Sequence, residues 1–478
     1  MDAVLAFFSE ISNLGKYLMV PLMIAIIGIV VRCQPEKAIK GGITVGIGLF
    51  GLDLVMTLVT TYLTPITNAL VNSLHLSLNT VDVGWAPAAG LAYSTTIGAI
   101  IIPFALVINI AMLSLRATKT MNIDVWNFWH FAFSGSIIFI LTNNLACGLV
   151  AAAVHCVLAL TIADRTAEKV QKVIGIPGIS IPQGSAVTQA PLYWALEKFY
   201  NLIFKKHAET NSSNADASIS KKLSENIFIK VLKDPVYVGF IIGVVLAAIA
   251  QQTPKDAFTT GMAMAALVYL LPRMVKVIME GLVPISNAAR SYMNKKYKGQ
   301  QLYIGMDSAI ILGHPTSLIA SLLIIPVVLV LAMVLPGNTM IPLATLASLG
   351  YNLSMATVAH NGNLKRVMVS GTVFLAIEML VASFFAPMIT EIALSTGGTE
   401  IPEGATFISA FTAGNYFTFI LYWLNSAGPI IGIAIGIAII VATIIYNRRY
   451  FAKQSELSTT EFTGSEKADT APESDTTD

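Results

Sequence analysis

The sequence predicts an all-α polytopic membrane protein with about 11 transmembrane helices. Hydrophobic residues make up 55% of its 478 residues and charged residues only 12%, and the mean hydropathy is +0.72. This composition is far too apolar for a soluble globular protein. Apolar runs long enough to cross a hydrocarbon core of about 30 Å recur along nearly the whole chain. Each crossing must be helical, because lipid offers no partner to an unpaired backbone N–H group.

The eleven predicted crossings are separated by polar stretches of different lengths. They lie near residues 17–31, 41–63, 89–115, 129–142, 145–162, 236–251, 257–272, 309–335, 341–359, 367–388 and 417–447. The N-terminus lacks the basic region and small-residue cleavage site of a signal peptide, so the first run is predicted to be a retained span.

The basic residues predict the orientation, because loops on the cytoplasmic side carry an excess of Lys and Arg. With the N-terminus outside, only Lys16 and Lys255 of the 29 basic residues lie on the outer side. Residues 1–16 are then an external segment, 163–235 a cytoplasmic loop, and the C-terminus is cytoplasmic. Few apolar residues follow Ser455, so 448–478 is predicted to be a disordered tail.

The chain contains an internal repeat at an offset of 219 residues. This shift places Pro35 on Pro254, and residues 64–69 on residues 283–288. Five predicted crossings separate the two copies, so the repeats (17–235 and 236–447) should be inverted. Inverted repeats are typical of transporters whose substrate site lies at the repeat interface.

Two apolar stretches are too interrupted by Gly and Pro to be spanning helices. They are residues 175–185 and 305–316. Irregular backbone at membrane depth persists only where protein buries it or where it lines a wet cavity. The pattern therefore favours two re-entrant segments over loops lying on the cytoplasmic surface.

Carboxylates within or beside apolar segments are candidate functional residues, because burying a charge in a membrane is costly. Asp53 and Glu378 fall in the middle of predicted crossings, and Asp307 opens the second interrupted stretch. Glu378 is equally consistent with a hydrogen bond between helices. Glu280 is consistent either with a site or with a solvated carboxylate near Arg273.

No metal site, cofactor site or nucleic-acid surface is predicted. No His pair has metal-ligand spacing, the three Cys form no CxxC pair, and the basic residues are scattered. No phosphate-binding loop sequence is present, which argues against a self-contained ATP-driven pump. His130 ends an aromatic run (126–130) of the kind that usually anchors a protein at the membrane interface. Residues 46–51 are rich in Gly and predict close helix packing.

Seven short blocks, in order along the chain, resemble the galactitol-type IIC subunit of the bacterial phosphotransferase system. They are VDVGW (81–85), NIDVWNFWH (122–130), GISIP (178–182), LPR (271–273), GH (313–314), LPGN (335–338) and HNGNL (360–364). The resemblance spans roughly residues 15–450.

The resemblance implies an inner-membrane homodimer in which a substrate-carrying core moves elevator-fashion against a scaffold. It also implies a sugar-alcohol substrate, phosphorylated on the inner side by a separate IIB protein that carries phosphocysteine and is itself served by a IIA protein. Asp307 is predicted to bind the substrate and to orient or deprotonate the attacking hydroxyl. The other predicted substrate-binding residues are Gln183, Ser180, His130, Asp53, His314 and Trp85.

Three positions depart from the family pattern, which has His at the place of Gln183 and uncharged residues at Asp53 and Glu378. The substrate is therefore galactitol or a related polyol. An ion-coupled secondary transporter, with Asp53 and Glu378 as ion or proton sites, is the alternative. A membrane-embedded enzyme is disfavoured because no nucleophile and base are paired in the sequence.

Overall fold

The computed structural model describes most of the chain. The described residues are 16–30, 32–73, 80–122, 124–208, 235–296, 302–342, 344–345, 348–396 and 405–468. They form fifteen α-helices, two short 3₁₀ helices and six very short strands. The first half contains α1 (Lys16–Val30), α2 (Pro35–Ser73), β1 (Thr80–Asp82), α3 (Trp85–Ser94), α4 (Thr96–Ser114), β2 (Thr120–Asn122), a 3₁₀ helix (Val125–Phe128), α5 (Trp129–Thr142), α6 (Leu145–Ile174), β3 (Ile179–Ser180) and α7 (Gly184–Ala208).

The second half repeats this order of α-helices and strands and adds one helix at its end. It contains α8 (Pro235–Ile249), α9 (Pro254–Lys296), β4 (Tyr303–Gly305), α10 (Ala309–Leu312), α11 (Pro315–Val334), β5 (Met340–Ile341), α12 (Leu349–Ala359), α13 (Leu364–Thr396), β6 (Phe407–Ser409), a 3₁₀ helix (Phe411–Ala413), α14 (Tyr416–Asn425) and α15 (Pro429–Ala468). An offset of 219 residues carries both ends of α1 onto α8, and the first residues of α2 and α4 onto those of α9 and α11. The repeat found in the sequence therefore extends to the element boundaries.

Five helices of the described part are long and apolar enough to cross a membrane. They are α4, α6, α11, α13 and the Pro429–Gln454 part of α15. Two shorter apolar helices, Trp129–Thr142 and Gly239–Ile249, accompany them. These helices agree with the predicted membrane protein, and the count of eleven crossings stays a prediction.

The long helices α2 and α9 pack closely along each other through glycines. A Cβ atom added at Gly41 would lie 2.6 Å from the carbonyl oxygen of Gly281, and one at Gly48 would lie 2.4 Å from Ile278 Cγ1. Any side chain at these positions would push the helices apart, which confirms the packing role predicted for the glycines of 46–51. The predicted crossings 41–63 and 257–272 are thus parts of continuous helices of 39 and 43 residues.

Two three-stranded parallel sheets interrupt the helices, a feature that the all-α prediction lacked. Their strand orders are β5–β1–β6 and β2–β4–β3. The central strand of each sheet comes from one half of the chain and both outer strands from the other half. The strands give backbone N–H and C=O groups partners where the helices break, which an apolar interior requires.

Several predicted boundaries differ from the structure. The run 341–359 contains β5 and the 11-residue helix α12 rather than one long helix. The run 417–447 is divided between α14 and α15 at Gly428, whose φ of +112° ends a helix. The predicted loop 163–235 contains the end of α6 and all of α7, and its residues 209–234 lie outside the described part.

The C-terminal stretch 448–478, which is predicted to be disordered, is described only in part. Helix α15 continues to Ala468, and disorder of this stretch in solution stays a prediction. Extending an existing helix avoids the unfavourable nucleation step, so polar residues can continue a helix that they would not start. Residues 469–478 lie outside the described part.

Candidate functional site

The β2–β4–β3 sheet brings the two interrupted segments together. Strand β3 belongs to the first segment and pairs in parallel with β4, which leads into the second, with Ser180 opposite Gly305. Gly305 is needed at this crossing, because a Cβ atom there would lie 2.6 Å from Pro182 Cγ. Ser180 and Ser308 are both fully buried. The predicted segments are therefore neighbours inside the protein, although their depth in a membrane stays a prediction.

Asp307 lies at the end of this sheet and faces a carboxamide from the other half of the chain. The Asn127 Nδ2 atom donates to Asp307 Oδ2 at 3.0 Å and to Asp124 Oδ2 at 2.6 Å. Asp307 Oδ1 accepts the backbone N–H of Ala309 at 3.0 Å. One amide group thus bridges two carboxylates at the junction of the two repeats.

Gln183 and His130 form a second polar pair beside the same sheet. Gln183 Oε1 accepts the N–H of Ala186 at 2.7 Å, so its amide nitrogen must be the atom that faces His130 Nε2 at 3.0 Å. His130 Nε2 is then the acceptor, which requires a neutral imidazole protonated on Nδ1. Gly184 permits this approach, since a Cβ atom there would lie 2.4 Å from His130 Cβ.

Ser180 connects the site to a buried carboxylate on α6. Its hydroxyl lies 2.9 Å from the Thr120 hydroxyl, which donates to Asp164 Oδ1 at 2.8 Å. Asp164 Oδ2 accepts the Thr118 hydroxyl at 2.7 Å. The carboxylate therefore holds the chain on both sides of Lys119, at the start of β2, next to β3 and β4.

The other predicted site residues lie elsewhere or are not described. His314 Nδ1 accepts the Thr316 N–H at 3.2 Å and caps α11, where the ring packs on the turn at Gly362. Trp85 opens α3 after β1 of the other sheet. Asp53 lies in α2, and its side chain is outside the described part.

The two remaining candidate carboxylates also have definite places. Glu378 is 2% exposed and accepts a hydrogen bond from Asn352 of α12, which supports its interpretation as a helix–helix contact. Glu280 lies on the exposed face of α9, within a continuous helix rather than in a loop.

The aromatic run before α5 does not lie at an exposed interface. Phe128 and Trp129 are 1% and 2% exposed, and the Trp129 ring stacks on His130 with centroids 3.7 Å apart. The interpretation as a membrane-interface anchor is therefore wrong for these two residues. Their burial orients His130 toward Gln183 instead.

Sequence reasoning missed Asn127 and Asp124 as site residues. Both stand in the block NIDVWNFWH, which was used only for the resemblance. A signal was present, since three polar residues within six positions interrupt an otherwise apolar stretch. Nothing local indicates their partner, because Asn127 and Asp307 are 180 residues apart in the chain.

The cluster of Asp307, Asn127, Asp124, His130 and Gln183, called the polar cluster below, combines carboxylate, amide and imidazole groups in an apolar surrounding. Such a set suits a ligand with several hydroxyl groups, which both donate and accept hydrogen bonds. Among the described residues, no group of three His, Cys, Asp or Glu side chains is placed to hold a metal ion.

Long apolar helices and a repeated order of helices and strands define a multi-pass membrane protein, with a buried polar cluster built from both halves of the chain. The family model described as "PTS system sugar-specific permease component" matches residues 10–404. The chain belongs to this family, and as such it is an inner-membrane protein.

Two relatives from Escherichia coli (strain K12) match over nearly their whole length. The chain is 39% identical over 444 residues to a protein named "Putative permease IIC component", covering 92% of this chain and 99% of the relative. It is 30% identical over 458 residues to "PTS system galactitol-specific EIIC component", covering 94% of this chain and 99% of the relative. The first of these names states no substrate.

Proposed function

We propose that this chain is the IIC subunit that binds galactitol or a related sugar alcohol and carries it across the inner membrane. The main observation behind the proposal is the polar cluster, whose residues come from both halves of the chain. The chain also belongs to a family of sugar permeases. Separate IIA and IIB proteins would supply the phosphoryl group, with IIB carrying it on a cysteine. The 30% identity to the galactitol-specific relative supports the substrate class.

Asp307 is the residue assigned to the reacting hydroxyl. It is less buried than the other members of the polar cluster, and a carboxylate can accept a hydroxyl hydrogen bond or take its proton. Asn127 and Gln183 would exchange hydrogen bonds with further hydroxyl groups. The chain's own cysteines are unsuited to carrying phosphate, since Cys33, Cys147 and Cys156 are all buried.

The proposed architecture has eleven crossings, inverted repeats and an elevator-type motion of a core against a scaffold in a homodimer. Each sheet takes its central strand from one half of the chain and its outer strands from the other half, which supports two repeats that are built into each other. The α2 helix supports the scaffold, because it exposes an apolar stripe that suits lipid or a second subunit. The stripe is formed by Ile39, Ile43, Ile47, Phe50 and Leu54.

Topology is tested with reporter fusions. Fusions after Glu209 and after Lys453 should both show cytoplasmic activity, because the proposed orientation places α7 and the end of α15 inside. A periplasmic signal from either fusion would overturn the proposed orientation and, with it, the inverted arrangement of the repeats.

Energy coupling is tested with membrane vesicles that contain this protein. Labelled galactitol and related polyols are offered with and without IIA, IIB, phosphoenolpyruvate and the general phosphotransferase components. The product inside should be phosphorylated, and an uncoupler should not abolish its formation. Accumulation of unmodified polyol, driven by a proton or sodium gradient without the partners, would refute the proposal and favour a secondary transporter.

The role of Asp307 is tested by Asp307→Asn. Losing a charge-assisted hydrogen bond costs roughly 1.5–3 kcal/mol, so affinity should fall about 10- to 150-fold in a protein that still folds. The matched control is Glu280→Gln, which neutralises an exposed carboxylate on α9. Equal uptake by both variants would remove Asp307 from the site.

A further inference from the structure

The C-terminal helix lies beyond the family match, yet it packs against the helix that supports the polar cluster. The match ends at residue 404, whereas α15 runs from Pro429 to Ala468. Near its start, the Cys147 thiol of α6 donates to the carbonyl of Pro429 at 3.3 Å. Further along, Asn447 Nδ2 donates to the Thr161 hydroxyl at 2.8 Å. The two helices therefore run side by side in the same direction.

Arg165 of α6 is held by aromatic and amide groups of α15. Its guanidinium carbon lies 3.1 Å from the ring centroid of Tyr450 and 5.2 Å from that of Tyr446. Its Nη2 atom donates to Asn447 Oδ1 at 3.0 Å, while Nη1 is buried with no hydrogen-bond partner among the described residues. The guanidinium charge is thus stabilised largely by cation–π contacts with aromatic rings, an arrangement suited to Arg.

Lys119 joins the same helix to the sheet of the candidate site. Its ammonium lies 5.0 Å from the ring centroid of Phe451 and 3.5 Å from Gln454 Oε1. Its backbone carbonyl accepts the N–H of Tyr303, the first residue of β4, at 2.8 Å. One residue therefore contacts α15 with its side chain and the strand before Asp307 with its backbone.

Asp164, which precedes Arg165 on α6, accepts hydrogen bonds from Lys119 and from the residues on either side of it. Its carboxylate accepts the Lys119 N–H at 3.1 Å and the hydroxyls of Thr118 and Thr120. Successive residues on a helix point about 100° apart, so α6 presents Asp164 to β2 and Arg165 to α15. Strand β2 in turn precedes the 3₁₀ helix that carries Asn127.

We propose that α15 is a positioning element for the polar cluster, acting through Arg165, Lys119 and Asp164. By holding Arg165 and Lys119 together, it keeps β2 in register with β4 and so keeps the Asn127 amide facing Asp307. Arg165 and Lys119 touch no substrate in this scheme. The inference rests on the proposed function only where transport is measured.

The main test is hydrogen–deuterium exchange of the purified protein, which needs neither substrate nor partner proteins. Arg165→Gln should raise amide exchange in residues 118–127 and 303–309 by about 5- to 30-fold, as expected when local stability falls by a modest amount. Arg449→Gln, the same change at an exposed position of α15, should leave these segments unchanged. Arg165→Lys keeps a positive charge near the rings but loses the planar guanidinium, so it should give an exchange rate between those of the unaltered protein and Arg165→Gln.

Two further comparisons separate positioning from folding. Tyr450→Leu keeps Arg165 but removes its ring partner, and it should reproduce the exchange pattern, whereas Tyr450→Phe should not. A chain truncated after Gln454 keeps the contacts with Arg165 and Lys119, so its amide exchange should equal that of the full chain. A chain truncated after Ile445 should show the same raised exchange as Arg165→Gln. Exchange that rises only in α6 and α15, for any of the disrupting variants, would overturn the proposal.

The transport readout separates this inference from the proposed function. In vesicles that phosphorylate the polyol, Arg165→Gln should raise the half-saturating concentration about 5- to 30-fold while the maximal rate changes little. If no polyol is taken up even by the unaltered protein, the proposed function fails, and the exchange experiment still decides the positioning role. An unchanged half-saturating concentration in an active system would count against positioning.

Discussion

Replacing Asn127 by Ala should weaken sugar binding severely without preventing folding. The substitution removes the one amide nitrogen that contacts both Asp124 and Asp307, at 2.6 and 3.0 Å. Its backbone N–H contact with the Asp124 carbonyl, which forms the 3₁₀ turn, is retained. The change is therefore aimed at the carboxylate pair rather than at the local fold.

The size of the effect follows from the hydrogen bond that the amide would make to the bound sugar. In the proposed scheme Asp307 exchanges its bond to Asn127 for a substrate hydroxyl, and the freed amide hydrogen of Asn127 donates to a further hydroxyl. Without the amide this hydroxyl is left without a partner in a buried site, which costs about 1–3 kcal/mol. The half-saturating concentration should therefore rise about 5- to 150-fold.

The assay compares polyol uptake by vesicles that contain equal amounts of each variant. Asn201→Ala is the matched control, because Asn201 makes the same kind of amide contact to Glu197, at 3.2 Å, on the exposed end of α7. It should shift half-saturation by less than about fivefold, as for other exposed polar contacts. If Asn127→Ala and Asn201→Ala behave alike, the carboxylate bridge does not belong to the binding site.

Two other substitutions test stability, one beside the polar cluster and one on α7. Gly184→Ala should reduce uptake and should lower stability by about 1–3 kcal/mol, because its Cβ would lie 2.4 Å from His130 Cβ. Gly90→Ala should be neutral or slightly stabilising in thermal denaturation, because a Cβ there meets no described atom within 4 Å outside its own stretch of helix. Glu197→Gln should lower stability by about 1–2 kcal/mol at pH 7, since Glu197 Oε2 lies 2.6 Å from His360 Nδ1. Burial raises the pKa of Glu197, but hydrogen bonds from His360 and Arg366 outweigh burial and leave this pKa below its usual range. The ionised Glu197 therefore stabilises the fold fully above about pH 4.5, and its contribution should fade as the pH falls further. A stability difference between wild type and Glu197→Gln that does not shrink in acid would contradict this assignment.

The sequence predicted the general architecture because membrane burial leaves a strong compositional signal. The crossings at 145–162 and 367–388 lie within α6 and α13, two of the five apolar spanning helices. The repeat offset was also visible, since Pro35 and Pro254, which match at this offset, each open a long helix. Short strands and the break at Gly428 were not predicted, because two or three residues carry no detectable periodicity.

The candidate site was only partly predictable. Asp307, Gln183, Ser180 and His130 were named because they lie in interrupted segments or in blocks of the family resemblance, and the structure gathers them around one sheet. His314 was named on the same grounds, but its side chain caps a helix. Local sequence shows that a segment is irregular and polar, but it does not show which distant segment completes its hydrogen bonds.

Each sheet has a carboxylate at or just after the end of its central strand, and the hydrogen bonds of the two explain why Asp307 rather than Asp82 is assigned to the substrate. Asp82 ends the central strand of one sheet and accepts backbone N–H groups of Gly84, Thr345 and Phe411, at 3.1, 2.8 and 3.3 Å. Backbone donors are fixed by the fold, so Asp82 cannot exchange them for a ligand without moving three segments. Asp307 follows the central strand of the other sheet and faces a side-chain amide that is shared with Asp124. A side-chain donor can rotate away, so Asp307 can exchange this bond for a substrate hydroxyl at little cost to the fold.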